Sequence, residues 1–255
     1  PPPPPPTDTY TERNSSAASD VYKRQVAHST FRDNWADGKG EPGFECGSGA
    51  AIKLEDESEA TLSNTTLTGN RAEGKGGGLH VSCTSRATLV NCTISGNRAV
   101  GLGGGISAKG DLTLVHCTVQ GNSAKGFVRG KRIDSLAGGG IAVRGRSVLQ
   151  MTNSLLANNP KDGDCMLGPQ VTRAANAHNW IEDGSCQPAY TGDPALAPLG
   201  EVGGDTPTHA LLAGSLAQGV LSADACTVPV DQRGLPRPST GCTVGAFEPA
   251  GTTGE

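Results

Sequence analysis

One unit of sequence recurs five times along the chain, and its period decides what the chain can fold into. Complete copies read LSNTTLTGNRAEGKGGGL at residues 62–79 and LVNCTISGNRAVGLGGGI at 89–106. A third opens as LVHCTVQGNSA at Leu114 and reaches its GGGI at 138–141 after an insertion. A partial copy, MTNSLLANN, starts at Met151, and an earlier one, VAHSTFRDN at Val26, continues to GAAI at 49–52. The Asn closing each strand-like stretch falls at 34, 70, 97, 122 and 159, in steps of 36, 27, 25 and 37 residues. A unit this short cannot bury a hydrophobic face alone, and stacking of such units gives a solenoid.

Within a unit, L-x-N-C-T-I alternates apolar and polar residues as a half-buried strand does. Gly-Asn then supplies turn residues that tolerate positive φ, and GGG lets backbones pack closely before a second short strand such as 106–109 or 141–144. An Asn recurring once per coil is expected to hydrogen-bond its amide to the next along the axis, as in other stacked-strand architectures. This phasing accounts for the composition: 37 Gly in 255 residues, about twice the usual ~7%, with nine aromatic residues (2 Trp, 3 Tyr, 4 Phe) and 35% hydrophobic content. A narrow coil interior is filled by Ile, Leu, Val, Ala and polar ladders.

The same composition excludes several classes. No apolar run approaches the ~20 residues of a membrane-spanning helix, and no G-x-Y period indicates collagen. A formal charge of −4 argues against nucleic acid as a partner, because phosphate recognition needs a concentrated basic face.

The 17 prolines divide the chain. Six open it, one (Pro42) lies between 26 and 159, and ten follow from Pro160 onward. The expected organisation is a disordered segment 1–25, repeats over 26–159, a terminating region over 160–248 and a tail at 249–255. Residues 1–25 lack Gly, apolar periodicity and a signal-peptide pattern. SSAASDVYKRQ resembles translated sequencing-adapter read-through, and the six prolines resemble a translated homopolymer. The alternative is a polyproline linker with a polar tail. On the first reading the true N-terminus and any secretion signal lie outside this sequence.

The pairing of [FILV]-x-x-N, present at 31–34, 67–70, 94–97 and 119–122, with Gly76-Gly77-Gly78-Leu79 resembles the repeats of polymorphic outer-membrane proteins. More broadly it resembles right-handed parallel β-helix proteins of the bacterial cell surface. The resemblance implies an all-β, right-handed parallel β-helix. From Pro160 the ordered set GDC, NWIEDGSC, DPALAPL, GGDTPTHALLAGS and CTVPVDQRGLPRPSTGCTVGAFE is similar to the choice-of-anchor Q domain of secreted bacterial proteins. It departs from that pattern at Ala213–Gly219 and Cys242–Ala246. A Pro-rich, Cys-bearing module also fits the need to cap exposed strand edges at a solenoid end.

Eight cysteines allow 105 connectivities. Cys226 with Cys242 and Cys165 with Cys186 are the expected pairs, each closing a loop within the cap. Cys92 and Cys117 hold one repeat position and should stack about 4.8 Å apart, as a disulfide or as two small buried residues. With no C-x2-4-C pair, zinc is not expected, and no other metal or cofactor is implied. Disulfides point to an extracellular or cell-surface location.

With the first aliphatic of each post-GGG strand inward, Lys53 and Glu55, His80 and Ser82, Ser107 and Lys109, and Ala142 and Arg144 face outward. Glycoside hydrolysis needs two carboxylates about 5–9.5 Å apart, and this face offers Glu55 alone. Lys53, His80, Lys109 and Arg144, together with Arg129, Lys131 and Arg132 of a protruding basic insertion, are therefore candidate contacts to surface glycans or host and cell-surface proteins. Asp162 and Asp164 are too few for calcium, His209 and the Asp231, Arg233 pair read as a turn and a local ion pair, and the sequons at Asn64 and Asn91 coincide with the repeat. The expected role is that of a monomeric, structural or adhesin-like surface module without catalysis. A carbohydrate-active β-helix enzyme of the lyase or hydrolase type is the alternative.

Overall fold

Each repeat closes one coil with four sides, and the coils stack so that like strands pair in parallel. The computed structural model describes residues 23–38, 47–128, 131–132, 137–160 and 163–249. Face 1 comprises Lys23–Ala27, Glu59–Ser63, Arg86–Val90, Asp111–Val115, Val148–Thr152 and Thr172–Ala177. Face 2 comprises Thr30–Arg32, Thr66–Thr68, Thr93–Ser95, Thr118–Gln120, Leu155–Ala157 and Trp180–Ile181. Face 3 is made of the two-residue strands Trp35–Ala36, Arg71–Ala72, Arg98–Ala99 and Ser123–Ala124. Face 4 is made of Ile52–Leu54, Leu79–Val81, Ile106–Ala108, Ile141–Val143 and Cys165–Leu167.

Register follows the repeat. Leu62 pairs with Leu89, Leu89 with Leu114 and Leu114 with Met151, while Leu67, Ile94, Val119 and Leu156 align on face 2. These side chains point inward with those of Leu79, Ile106 and Ile141 and are fully buried or nearly so. Each contributes about 1.5–3 kcal/mol by leaving water.

Both corners of face 2 turn through left-handed backbone. His28, Asn64, Asn91, His116, Asn153 and His178, with φ between 48° and 57°, make the corner with face 1, and Asp33, Gly69, Gly96, Gly121 and Asn158 make the corner with face 3. Asn, Asp and Gly are the residues that reach this region at least cost. Past the second corner runs the expected ladder. The side-chain amides of Asn34, Asn70, Asn97 and Asn122 each donate to the Oδ1 of the next Asn in line at 2.8–3.0 Å, and Asn159 donates to Asp164 Oδ1 at 2.8 Å. The Asp164 carboxylate is thus the end of a hydrogen-bonded row, and Asp162 lies outside the described residues.

Two features extend the sequence reading. The first strand begins at Lys23, three residues before the repeat becomes legible, because Lys23, Arg24 and Gln25 pair with Glu59, Ala60 and Thr61. At the other end, Thr172–Ala177 and Trp180–Ile181 add a further rung to faces 1 and 2. That rung belongs to the region expected to form the cap. The Cys165–Cys186 disulfide and a stacked Trp180–Tyr190 pair close it.

Residues 193–249 then double back as a strap along the outer side of face 2. Asp205 reaches His28 in the first rung at 3.0 Å, and Gly245 N donates to Asn153 O at 2.8 Å near the other end. The terminal module therefore covers a flank of the rod as well as ending it.

Candidate functional site

The availability of side chains to a ligand is set by which faces the chain itself covers. Face 2 is covered by polar, specific contacts. Gln232 takes a hydrogen bond from Thr93 Oγ1 at 2.6 Å and donates to Thr66 Oγ1 at 2.8 Å, and Thr66 donates to Pro207 O at 2.6 Å. Ser95 Oγ lies 2.8 Å from His209 Nε2, and His209 Nδ1 lies 2.8 Å from Ala197 O. A carbonyl only accepts, so Nδ1 carries the proton and Nε2 accepts from Ser95. Burial keeps the His209 imidazole below its ordinary pKa, against its bond to Ala197.

At the adjoining corner, buried Arg237 pairs with Glu248 at 3.0 Å and donates to Gly245 O at 2.8 Å and Asn91 Oδ1 at 3.3 Å. His116 lies nearby with its pKa lowered to about 3, by burial first and by the Arg237 charge second. Arg233 pairs with Asp231 at 2.7 Å and lies over the Phe247 ring at 3.9 Å. Asp231 and Arg233 form the local ion pair that was expected, whereas His209, expected to serve a turn, joins the strap to Ser95 on face 2. Asn91 is 2% exposed and donates to Val230 O, which leaves its sequon unavailable.

The middle three strands of face 4 are covered by the glycine loops. Gly76, Gly103 and Gly138 adopt φ of 62–65°, and a Cβ on each would lie 2.1–2.2 Å from the carbonyl oxygen of Leu79, Ile106 or Ile141. Each loop therefore folds flat on the outer side of its own strand. Leu102 and Ala137, just before two of these turns, pack with Ala124 and Ala142 in a second apolar cluster outside the coil. The expectation that this face is open is corrected for its middle rungs. His80 and Ser107 are each 1% exposed and Ala142 is buried completely, so His80 is withdrawn from any ligand. Lys53, on the first face 4 strand, pairs with Glu55 at 2.7 Å, and Lys109 and Arg144 are half-buried just past their strands. Arg129 lies outside the described residues. Lys131 and Arg132 form a short strand antiparallel to Phe127–Val128.

Faces 1 and 3 remain open. On face 1, Lys23, Glu59, Arg86 and Asp111 occupy one register position on successive rungs. They pair as Lys23–Glu59 at 3.5 Å and Arg86–Asp111 at 3.2 Å. Beside them Gln25, Thr61, Thr88 and Thr113 form a polar row. Glu59, Arg86 and Asp111 of the charged row and Thr88 and Thr113 of the polar row line a shallow groove of about 290 Å³. Face 3 presents Trp35, Arg71, Arg98 and Ser123 in one outward row. Trp35 is 65% exposed. Neither the charge alternation of face 1 nor the row of face 3 emerged from the sequence, because the partners lie 25–36 residues apart in a register fixed only by the inserted loops.

The disulfides are Cys165–Cys186 and Cys226–Cys242, as expected, while Cys92 and Cys117 are buried free thiols. Burial, reinforced by the adjacent Cys117, pushes the Cys92 thiol well above its ordinary pKa. Among the described residues no group of three or more His, Cys, Asp or Glu is placed to hold a metal, and no helix is long and apolar enough to cross a membrane.

A family profile described as Right handed beta helix region matches residues 23–168. The chain belongs to that family. No curated protein and no solved structure matches this β-helix protein. The family match ends at Gly168, one turn before the last rung, and so leaves the strap to be understood from its own contacts.

Proposed function

We propose that this β-helix protein is a secreted or cell-surface module with a structural, adhesin-like role rather than a catalyst. One observation carries the reading: the acids in the groove of face 1 are engaged as partners of bases. Glu59 pairs with Lys23, and Asp111 accepts from Arg86 and from Val148 N at 2.9 Å. A glycosidase instead needs one carboxyl to donate a proton and another to activate water or attack the sugar. The flat open faces and the repeated surface pattern suit binding along a polymer or a cell surface. The two disulfides support an oxidising, extracellular setting, and the similarity of residues 160–248 to the choice-of-anchor Q domain supports a surface location.

The carbohydrate-active alternative draws on the same groove. Glu59 and Asp111 stand two strands apart on face 1, about 9.6 Å by strand spacing, although Arg86 lies between them. Screening the full chain on a glycan array, alongside assays for unsaturated products and new reducing ends on acidic and neutral polysaccharides, separates the readings. Binding without scission is expected. Scission that disappears in Glu59→Gln or Asp111→Asn overturns the proposal.

A further inference from the structure

Faces 1 and 3 are both open, yet their charges differ in kind. The charged row of face 1 alternates in sign and pairs internally. The outward row of face 3 carries an indole and two guanidiniums, Trp35, Arg71 and Arg98, with no acid among them. The flanking position on successive rungs holds Asp37, Glu73, Val100 and Lys125. Glu73 is engaged by Arg71 at 3.1 Å. Arg98 and Lys125 are exposed and stand on neighbouring rungs, Lys125 directly after the strand that pairs with Arg98–Ala99. Positive charge therefore collects in the third and fourth rungs, and the exposed indole lies at the other end of the row.

We propose that face 3 binds an anionic glycan along the rod axis. Arg98 and Lys125 receive its carboxylate or sulfate groups, and Trp35 stacks on a sugar ring further along. This rests on the adhesin-like reading and names its ligand class and surface. Rungs about 4.8 Å apart place Trp35 about 10 Å from Arg98 along the axis, which a few sugar rings span. An Arg fork offers paired donors to a carboxylate or sulfate, and a flat indole offers an apolar face with low conformational entropy to lose. Both act on a chain lying across the strands. Face 2 cannot serve, because the strap occupies it, and face 4 offers no continuous row, because the glycine loops bury its middle rungs at His80, Ser107 and Ala142.

The test uses the full chain, with polygalacturonate as the anionic probe and dextran as the neutral one, titrated by calorimetry at several salt concentrations. Polygalacturonate is expected to bind, to weaken steeply as salt screens the exposed charges, and to outcompete dextran. The double variant Arg98→Gln/Lys125→Gln should weaken binding about tenfold and flatten the salt dependence. Trp35→Ala should weaken it severalfold with the salt dependence kept. Arg146→Gln, in the exposed turn between faces 4 and 1, should leave affinity unchanged. All these side chains are exposed, and unchanged melting of each variant verifies the fold. Binding that survives Arg98→Gln/Lys125→Gln overturns the face 3 assignment and leaves the adhesin-like reading standing. Equal affinity for dextran, or no binding of polygalacturonate, overturns the ligand class. Scission of either probe overturns the adhesin-like reading itself.

Discussion

The side-chain amide of Asn159 donates to Asp164 Oδ1 at 2.8 Å, so the asparagine ladder ends on a buried carboxylate. Every amide above it donates in the same direction along the axis. Hydrogen bonds in such a chain polarise one another, and a bond to an ionised acceptor at the last step is stronger than a neutral one.

Asp164→Ala strips the acceptor from both the side-chain and backbone N–H of Asn159. A loss of about 1–3 kcal/mol, the cost of unsatisfied buried donors, is expected in urea denaturation. Asp164→Asn keeps one acceptor and should cost less.

The two neighbouring carboxyls should titrate apart. Burial raises Asp164. At Asp183 burial also pushes upward, but hydrogen bonds from Ser185 and from the Asp164 N–H outweigh it, and the net shift is downward. Carbon-13 NMR should find Asp164 protonating at higher pH than Asp183, and the reverse order would contradict this assignment of environments.

Strap docking should weaken in acid. His116, lowered to about 3, and His209, lowered by burial, are neutral in the folded chain. Between their folded values and the ordinary histidine value of ~6.5, the unfolded chain binds more protons. The stability they contribute is full above about pH 6.5 and is lost as pH falls, at up to about 1.4 kcal/mol per pH unit for each histidine. Arg237 adds to this at His116, while its partner Glu248 and the nearby Asp231 hold the strap's own charges balanced. Urea midpoints between pH 7 and pH 5 should fall less steeply in His116→Gln and His209→Gln than in the parent, and identical slopes would refute this.

Much of this fold is legible in the sequence because its determinants are local and periodic. The Asn at 34, 70, 97, 122 and 159 and the glycines before Leu79, Ile106 and Ile141 repeat with the coil, and each does one job per rung. The strap is not legible. Its contacts join Thr66, Thr93 and Ser95 to residues 114–166 positions away, and polar residues in an alternating strand read as solvent-facing. The burial of His80 was hidden for a related reason. Alternation predicts which side of a strand a residue faces, and a flat glycine loop lying over that side leaves no pattern of its own. The sixth rung escaped because AHNWI at 177–181 keeps the corner geometry while losing the Leu and Thr that mark the other units.

Two glycine substitutions separate crowding from backbone strain. A Cβ on Gly104 would lie 2.4 Å from Ser123 N and from Gly139 O, whereas one on Gly96, at φ +65°, meets nothing within 4 Å. Gly96→Ala should cost about 1–2 kcal/mol, the left-handed penalty alone. Gly104→Ala should cost about 3 kcal/mol or more as coils are forced apart. Equal losses in denaturant titrations would argue against close packing of the glycine loops.

The Cys226–Cys242 bridge spans 16 residues and staples the strap. Replacing both with Ser should remove about 3 kcal/mol, the value for a loop of that size. Cys92→Ser removes no bridge and should cost less. Peptide mapping under non-reducing conditions should recover 226–242 and 165–186 linked, with 92 and 117 free, and a 92–117 bridge would contradict the structure.

Everything proposed about binding rests on the division between two covered and two open faces. Hydroxyl-radical footprinting of the full chain at neutral pH measures that division directly. Trp35, 65% exposed, should be oxidised rapidly, while His80 at 1%, His116 at 0% and His209 at 2% should be protected. Oxidation of His80 or His209 at a rate near that of Trp35, in a chain that remains folded, would show that face 4 or face 2 is open and would contradict the account.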